Sequence, residues 1–528
     1  MATTRGPGGS RAGAEPQPGS PASADEAIGQ RRAPPHAFVI FGASGDLASR
    51  KIFPALRNLA TSGEIPDELV VVGVARTELD DQEFRRLVLD ATGDDQERWR
   101  EMVGRFRYVA GDYADDATFA RLCEVLEEVD AKHGTGANRV YYLATVPALF
   151  GPIATSLARH GAARPGSDPP QVQGRASAPF IRIVVEKPYG RDLAAAQSLD
   201  RIMHAAFDES QIYRIDHYMG KETVQNLIAL RFANAVFEPI WNRRYVDQVQ
   251  VTVAESLGVE HRGGFYETAG ALRDIVQNHV MQVVSLTLME PPAASDAQSI
   301  RDEKVKLLRA IEVLGPDAVA GNVIRAQYGP GTIGSEPVNG YRSEPGVAPT
   351  SETETYVALR LSVDNWRWAG VPIYVRTGKR LPKRLTEVAL QFRGVPHLPF
   401  KGSLSRDLGP NVLVIRVQPD EGIMLSFGAK VPGPEFRVRS VSMDFSYQAS
   451  FNERPHDAYE RLLLDAMVGD ATLFIRTDEV DQAWRIVDPI LTTFADGSTS
   501  LHHYPAGTWG PHEANLLLER QGHRWRVP

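Results

Sequence analysis

Short apolar runs alternate with helical patterns in the N-terminal part of the chain. Residues 38–41 form a continuous apolar run, which is typical of a strand buried on both faces of a parallel sheet. Similar runs predict further strands at 69–74, 106–109, 140–144 and 181–185. The stretches between them predict helices at 47–60, 116–130 and 148–160. Strands that alternate with helices predict an α/β domain with a doubly wound parallel sheet.

The pattern changes after about residue 211. Predicted strands then follow at 246–253, 357–363, 373–376, 387–393 and 412–418, with few helices between the later ones. Three strong helical patterns also occur in this part, at 269–290, 301–313 and 458–468. This arrangement predicts a larger α+β domain built on a mainly antiparallel sheet.

A chain of 528 residues is too long for one ordinary core, so we expect two large domains. We place them at residues 36–210 and 211–515, followed by a C-terminal tail at 516–528. Residues 1–35 are rich in Gly, Pro, Ala and Ser and are predicted to be disordered. The Pro- and Gly-rich stretch 161–179 is long for a loop between a helix and a strand, and we interpret it as a surface insertion.

Charge and composition narrow the function. The net charge of −8 gives no reason to expect a nucleic-acid partner. No apolar run approaches the length of a membrane span, and the N-terminus has no secretory signal pattern. The single cysteine, Cys123, rules out an intrachain disulfide framework and fits a reducing compartment. We therefore expect a cytoplasmic protein that binds neither nucleic acid nor membranes.

A glycine-containing loop follows the first predicted strand and opens the first helix. Its pattern, G-x-x-G-x-x-A, is a variant of the dinucleotide-binding fingerprint, which predicts a Rossmann-type domain. The second predicted strand is followed by Arg76, where enzymes that use NAD commonly place an acidic residue. An arginine there favours the 2′-phosphate of NADP, and Ser44 can add a hydroxyl donor. The candidate cofactor contacts are Gly42, Ala43, Ser44, Gly45, Asp46, Leu47 and Arg76.

The segment from Arg214 to Glu222 concentrates charged and aromatic residues close to the predicted domain boundary. Lys221 and a protonated His217 are suited to a phosphate dianion, because charge-assisted hydrogen bonds are the stronger ones. Asp216 would repel a phosphate, so it needs another partner, most simply a histidine elsewhere. Clefts between domains are common ligand sites, and we expect this segment to line one.

Two further segments carry candidate chemistry. Lys187 follows the strand predicted at 181–185, and ligands bind at the carboxyl ends of parallel strands. His279 lies on an apolar helix and has a pKa range suited to a general base. On a continuous α-helix Asp274 would lie roughly 140° away from His279. Asp274 is therefore predicted to hold a substrate hydroxyl, and Asp216 to orient His279.

These segments together resemble the glucose-6-phosphate dehydrogenase family. The resemblance extends from about His36 to the C-terminal region and includes the segments 253–255, 263–267, 301–306 and 366–379. It implies that His279, oriented by Asp216, removes the proton of the sugar C1 hydroxyl. It also implies that His217, Tyr218 and Lys221 bind phosphate. The other implied sugar contacts are Lys187, which also touches the coenzyme, and Glu255, Asp274, Lys379, Gln418 and the nearby Arg384.

The implied reaction is the oxidation of β-D-glucose 6-phosphate by NADP to 6-phosphoglucono-δ-lactone, the entry to the pentose phosphate pathway. The resemblance further implies a homodimer or homotetramer, and no metal is needed. Enzymes of the same fold that act on another sugar phosphate or prefer NAD remain the nearest alternative. A catalytically silent NADP sensor is a more distant one, and it predicts a broken acid–base pair, whereas Asp216 and His279 are both present.

The sequence departs from the family at two places. In the family signature Asp-His-Tyr-x-Gly-Lys-Glu, which this chain carries at residues 216–222, Met219 replaces the usual leucine, a swap of nearly equal volume. Animal members of the family hold a second, structural NADP with basic residues just after the position of Arg384. This chain has Leu385 and Ala389 there, although Arg376 and Arg416 remain. We therefore expect one NADP per subunit.

Overall fold

The structure, a computed structural model, describes residues 31–93, 95–163, 179–397, 408–451 and 457–528. Most of the predicted N-terminal tail and of the predicted insertion at 161–179 lies outside the described residues. The last part of the predicted tail is packed against the protein, because Arg31 forms an ion pair with Asp465 at 2.7 Å. In the described ranges no helix combines the length and the apolar character needed to cross a membrane.

The N-terminal domain is built on a six-stranded sheet with the order β3-β2-β1-β4-β5-β6, and all five strand pairs are parallel. The predicted doubly wound sheet is thereby confirmed. The strands are β1 (Ala37–Phe41), β2 (Val70–Ala75), β3 (Arg107–Ala110), β4 (Arg139–Leu143), β5 (Ile181–Val185) and β6 (Ile212–Arg214). Strand β6 lies beyond residue 210, so the sheet crosses the domain boundary predicted from the sequence. At three residues, β6 is too short to produce a periodic signal.

Several helices of this domain begin or end at capping residues. For example, Asp80 and Glu83 form a capping box at the start of α2, and Gly134 ends α4 in a left-handed conformation. The glycine-containing loop leads into a π-helix, Ala48–Ile52. The α-helices are α1 (Phe53–Ser62), α2 (Asp81–Thr92), α3 (Glu97–Val103), α4 (Asp116–His133), α5 (Phe150–Arg159) and α6 (Leu193–Ala206).

The C-terminal domain is built on a nine-stranded sheet with the order β16-β15-β14-β13-β7-β12-β11-β8-β17. Only the pairs β7–β12 and β8–β17 are parallel among these described strands, which confirms the predicted mainly antiparallel sheet. The strands are β7 (Val246–Ala254), β8 (Val323–Gly329), β11 (Tyr356–Leu361), β12 (Ile373–Gly378), β13 (Leu385–Phe392), β14 (Val412–Gln418), β15 (Gly422–Lys430), β16 (Val438–Ser446) and β17 (Leu501–Pro505). A separate hairpin pairs β9 (Gly331–Ile333) with β10 (Glu336–Val338).

The helix predicted at 269–290 starts after a break at Gly270, which has a φ of 64°, and it continues to Leu288. Its first part, Leu272–Val280, is a π-helix and not the α-helix that was predicted. The α-helices of this domain are α7 (Glu222–Phe232), α8 (Gly263–Ala271), α9 (Met281–Leu288), α10 (Ala297–Ala310), α11 (Pro316–Asn322), α12 (Tyr447–Ser450), α13 (Ala458–Val468), α14 (Thr477–Ala495) and α15 (His512–Glu519).

The C-terminal residues are packed against the domain. The tail predicted at 516–528 begins inside α15, and Trp525 Nε1 donates a hydrogen bond of 2.9 Å to the Ala514 carbonyl. Arg526 NH1 lies 2.6 Å from Glu387 Oε1 on β13. These contacts hold the C-terminal residues against α15 and the nine-stranded sheet.

Candidate active site

The candidate site lies at the carboxyl edge of the parallel sheet, where the two domains meet. Lys187 follows β5, and Asp216 follows β6. The π-helix Leu272–Val280 of the C-terminal domain brings His279 to the same place. Ligands bind at this edge of open α/β sheets because the loops there converge on the crevice between domains.

Asp216 and His279 form a buried pair. His279 Nδ1 lies 2.5 Å from Asp216 Oδ1, which also accepts a 2.9 Å hydrogen bond from the Tyr218 amide. Burial alone would raise the pKa of Asp216, but His279 outweighs it, and the pKa is lowered to about 2. Burial lowers the pKa of His279 below its usual 6.5. Near neutral pH the imidazole is thus uncharged, with its proton on Nδ1 and a lone pair on Nε2, as a general base requires.

Lys187 links His279 to the second carboxylate of the site. Its Nζ lies 2.9 Å from His279 Nε2, 3.0 Å from the Asp274 carbonyl and 3.2 Å from Asp274 Oδ1. Burial opposes ionisation of Asp274, but Lys187 and Lys379 lower its pKa. The expectation that Asp274 faces away from His279 is wrong. A π-helical turn closes between residues five apart, so positions 274 and 279 share one face.

Two aromatic rings flank His279. Tyr218 stacks on it with ring centroids 4.3 Å apart, and His217 contacts it edge-on at 4.5 Å. Burial, His279 and Lys187 all lower the pKa of His217 well below its usual 6.5. The expectation of a protonated His217 therefore does not hold for the free protein. A neutral imidazole can still donate one N–H to an anion.

The end of the site beyond His217 is cationic. Lys221 Nζ and Arg384 NH2 both donate to Gln418 Oε1, the second over 3.2 Å. Burial, followed by repulsion from Arg384, lowers the pKa of Lys221 to about 8. Two cations that converge on one neutral oxygen are well placed to bind an anion such as a phosphate, because charge-assisted hydrogen bonds are stronger.

The C-terminal sheet contributes a second ion pair. Lys379 follows β12 and Glu255 follows the adjacent strand β7, and Lys379 Nζ lies 2.5 Å from Glu255 Oε2. Sequence reasoning missed Thr386, whose hydroxyl accepts a 2.9 Å hydrogen bond from Gln418 Nε2. It also missed Tyr266, whose ring lies 5.1 Å from Lys379 Nζ. A single threonine in a strand gives no signal that distinguishes it from an ordinary strand residue.

The glycine-containing loop fits a dinucleotide pyrophosphate. Gly42 has a φ of 88°, and a Cβ there would lie 2.4 Å from the Ala144 carbonyl oxygen, so only glycine fits. Ser44 Oγ lies 2.8 Å from Thr77 Oγ1, which ties the loop to the turn after β2. Arg76 is exposed in that turn. The exposed Asp46 pairs with Arg50 at 2.6 Å. Arg76 precedes Thr77, so it lies in the turn that the loop contacts through Ser44.

Both arginines considered for a second nucleotide site are engaged with other groups. The Arg376 guanidinium lies 4.8 Å from the Trp509 ring and 4.6 Å from the Trp525 ring. It donates to Thr252 Oγ1 at 3.0 Å and to the Arg526 carbonyl at 2.8 Å. Arg416 pairs with Asp444 at 2.7 Å. The C-terminal residues thus cover the part of the sheet around Arg376.

Among the residues that the structure describes, the fold brings together one potential set of metal ligands that spacing in the sequence did not indicate. Ligand atoms of Asp216, His217 and His279 lie within 4.8 Å of one another. Lys187 Nζ, however, lies 2.9 Å from His279 Nε2, and an ammonium group there opposes a second cation. We therefore assign no metal to this cluster.

Two family models match nearly the whole described chain. Residues 39–226 match "Glucose-6-phosphate dehydrogenase, NAD binding domain", and residues 228–526 match "Glucose-6-phosphate dehydrogenase, C-terminal domain". Glucose-6-phosphate 1-dehydrogenase 2 of Mycobacterium tuberculosis is 46% identical over 504 residues, which cover 94% of this chain and 96% of that protein. Glucose-6-phosphate 1-dehydrogenase of Aggregatibacter actinomycetemcomitans is 47% identical over 495 residues, with 93% and 97% coverage.

Solved structures agree with the sequence matches. A glucose-6-phosphate dehydrogenase in complex with its substrate glucose-6-phosphate superposes with a TM-score of 0.84 at 33% identity, covering 95% of this chain and 100% of that one. The structure of glucose-6-phosphate 1-dehydrogenase from Mycobacterium avium superposes with a TM-score of 0.77 at 37% identity. The match covers 94% of this chain and 99% of that one. The chain therefore belongs to the glucose-6-phosphate dehydrogenase family of oxidoreductases, and residues 39–226 form its nicotinamide-cofactor-binding domain.

Proposed function

We propose that the protein oxidises D-glucose 6-phosphate with NADP to 6-phosphoglucono-δ-lactone and NADPH, the first step of the pentose phosphate pathway. The observation that carries this proposal is the position of the neutral His279 base beside a cationic pocket. That pocket, formed by Lys221, Arg384 and His217, suits a phosphate, and the base suits a hydroxyl at the other end of the same molecule.

Different side chains bind different parts of the sugar phosphate. Lys221 and His217 bind the phosphate, with the Tyr218 hydroxyl beside them. Lys379, Glu255, Asp274 and Gln418 bind ring hydroxyls, and Lys187 lies between the sugar and the coenzyme. Bound NADP supplies the hydride acceptor for C1. The loop residues 42–47 hold its pyrophosphate, and Arg76 pairs with its 2′-phosphate.

The proton of the C1 hydroxyl passes to His279. In the free protein Nε2 accepts a hydrogen bond from Lys187, and the C1 hydroxyl takes this place when the sugar binds. Because hydride and proton leave together, little charge accumulates on the sugar. The resulting imidazolium is stabilised by the ionised Asp216 at Nδ1, which also holds the ring in the productive tautomer.

The experiment that tests the proposal follows NADPH absorbance with a panel of sugar phosphates, free glucose and both coenzymes. We expect glucose 6-phosphate with NADP to give the highest kcat/KM, and free glucose to be a poor substrate. If the protein prefers another sugar phosphate or NAD, it is instead an enzyme of the same fold with a different specificity. No turnover of any pair would favour a coenzyme sensor.

Lys221→Ala should raise the KM for glucose 6-phosphate and largely preserve kcat. The ammonium contacts the phosphate equally in the ground and transition states, and loss of uniform binding appears in KM. A charge-assisted hydrogen bond is worth about 1.5–3 kcal/mol, which corresponds to a KM increase of ~10–100-fold. Lys306→Ala removes an exposed lysine on α10 and serves as the control.

The lowered pKa of Lys221 also predicts how kcat/KM depends on pH. Its pKa of about 8 means that the free enzyme loses this charge as the pH rises through 8, so wild-type kcat/KM should fall above that value. The alkaline limb should be absent in Lys221→Ala. An unchanged KM in this variant would place the phosphate elsewhere.

Arg76→Ala should lower the preference for NADP over NAD. The change removes a cation from the 2′-phosphate but no group that NAD needs, so NADP affinity alone should fall, by about 1.5–3 kcal/mol. Dissociation constants for both coenzymes measure this, with Arg86→Ala, an exposed arginine on α2, as the control. Equal losses for both coenzymes would contradict the assignment.

We expect one NADP per subunit. The Arg376 guanidinium contacts two indole rings and Arg416 is paired with Asp444, while Leu385 and Ala389 are apolar and buried. A second phosphate-rich ligand would lose its charge-assisted contacts there. Calorimetric titration with NADP measures the stoichiometry. Two sites per subunit would show that other groups form a second pocket.

We also propose a cytoplasmic homodimer or homotetramer. The nine-stranded sheet supports the oligomer, because its edge strand β16 carries Met443 with 61% of its surface exposed. An exposed edge strand with an apolar side chain favours association with another chain.

A further inference from the structure

The π-helix that carries Asp274 and His279 begins at an unusual break in the chain. Helix α8 and the π-helix are joined at Gly270, which has a φ of 64°. A Cβ at this position would lie 2.3 Å from Glu354 Oε1. Position 270 therefore requires glycine for two reasons: its φ is positive, and Glu354 approaches the backbone closely there.

Glu354 binds the first amides of the new helix with two of its own atoms. Its carbonyl oxygen accepts a 3.0 Å hydrogen bond from the Ala271 amide, and its Oε1 accepts one of 3.1 Å from the Leu272 amide. The first N–H groups of a helix have no partner within the helix, and a carboxylate is favoured there by the helix dipole. Glu354 is buried, with 6% of its surface exposed. Burial raises its pKa, and the Leu272 amide opposes that shift.

The residue after Glu354 holds a second part of the same site. The Thr355 carbonyl accepts a 3.0 Å hydrogen bond from the Lys379 amide, and the Thr355 amide donates to the Ala326 carbonyl on β8 at 2.9 Å. Two consecutive residues just before β11 thus hold both the helix of His279 and the backbone of Lys379. Strand β11 is itself paired on both sides, with β8 and β12, so this anchor is rigid.

We infer that Glu354 is a positioning residue for the candidate base: it sets where the π-helix begins and how it is rotated, and so aims His279 Nε2 and Asp274 at the substrate. The inference rests on the role proposed above for His279. A shift of about 1 Å in a reacting group can cost ~10²-fold in rate, so a helix start that is free to move has a direct effect on turnover.

The test compares three variants. Glu354→Ala leaves the Leu272 amide without its acceptor, and we expect kcat to fall ~10–100-fold while the dissociation constant for NADP is unchanged. Glu354→Gln keeps an acceptor of the same length and should recover most of kcat. Asp296→Ala is the control, because it removes the N-cap of α10, a helix that carries no proposed site residue.

A kinetic isotope effect separates positioning from loss of folded enzyme. With glucose 6-phosphate deuterated at C1, the isotope effect on kcat should increase in Glu354→Ala, because a misplaced base makes the chemical step limiting. Fewer folded molecules would lower kcat but leave the isotope effect at its wild-type value. A wild-type isotope effect, or a kcat no lower than that of Asp296→Ala, would overturn the inference.

A second variant covers the case in which Glu354→Ala does not fold. Glu354→Asp shortens the side chain by one methylene and so withdraws the carboxylate from the Leu272 amide, and it should show the same fall in kcat and the same increased isotope effect. Wild-type values in Glu354→Asp would equally overturn the inference. If the wild-type protein itself does not turn over glucose 6-phosphate, the proposed function fails instead, so the two failures are distinguishable.

Discussion

His279→Asn will lower kcat by ~10²–10⁴-fold and change the KM for glucose 6-phosphate little. Asparagine has no basic nitrogen to accept the C1 hydroxyl proton, but it leaves the phosphate pocket at Lys221 and Arg384 in place. Because the proton is transferred only in the chemical step, the loss should appear in kcat and not in ground-state binding. Steady-state kinetics at saturating NADP measure both constants.

The pH profile gives a second readout of the same residue. A protonated imidazole cannot accept a proton, so activity falls as the pH falls through the pKa of His279. Burial lowers that pKa, and the acid limb of wild-type kcat/KM should therefore lie below pH 6.5. The limb should be absent from the residual activity of His279→Asn. His217→Asn is the matched control, and it should raise KM more than it lowers kcat. Near wild-type kcat in His279→Asn would remove this residue from the role of base.

Asp216→Asn should lower kcat to a similar extent, by ~10²–10⁴-fold. The carboxylate accepts the Nδ1–H proton of His279, and this leaves the lone pair on Nε2. An amide NH2 group facing Nδ1 favours the other tautomer, in which Nε2 carries the proton and cannot act as a base. The variant also leaves the imidazolium without a neighbouring negative charge. Substrate binding should change less, because Asp216 is buried behind the imidazole with 1% of its surface exposed.

Asp274→Asn is the matched control for this prediction. Asp274 also lies near His279, but it contacts Lys187 and not Nδ1. We expect this control to raise KM more than it lowers kcat. If Asp274→Asn costs more kcat than Asp216→Asn, then Asp274 is the carboxylate that supports the base, and the proposed division of roles is reversed.

Strands β1 to β5 of the N-terminal sheet were predictable from the sequence because they are short, largely apolar runs that are buried. Strand β5 was predicted with its observed bounds, 181–185, and β1 was predicted to within one residue. Strand β6 is too short to show a period, and β15 and β16 are largely half-buried or exposed, with mixed side chains that hide the alternation. These strands could be assigned only from their pairing with neighbouring strands, which the tertiary structure shows.

The sequence by itself determined the fold class, the glycine-containing loop and the need of Asp216 for a histidine partner, because these follow from residue type and local pattern. Only the tertiary structure decided that Asp274 shares a face with His279, because a π-helix cannot be distinguished from an α-helix by apolar periodicity over two turns. Burial among His279 and Lys187 likewise decided that His217 is neutral in the free protein. Long-range contacts decided that Glu354 caps the helix of the base, since these partners lie far apart along the chain.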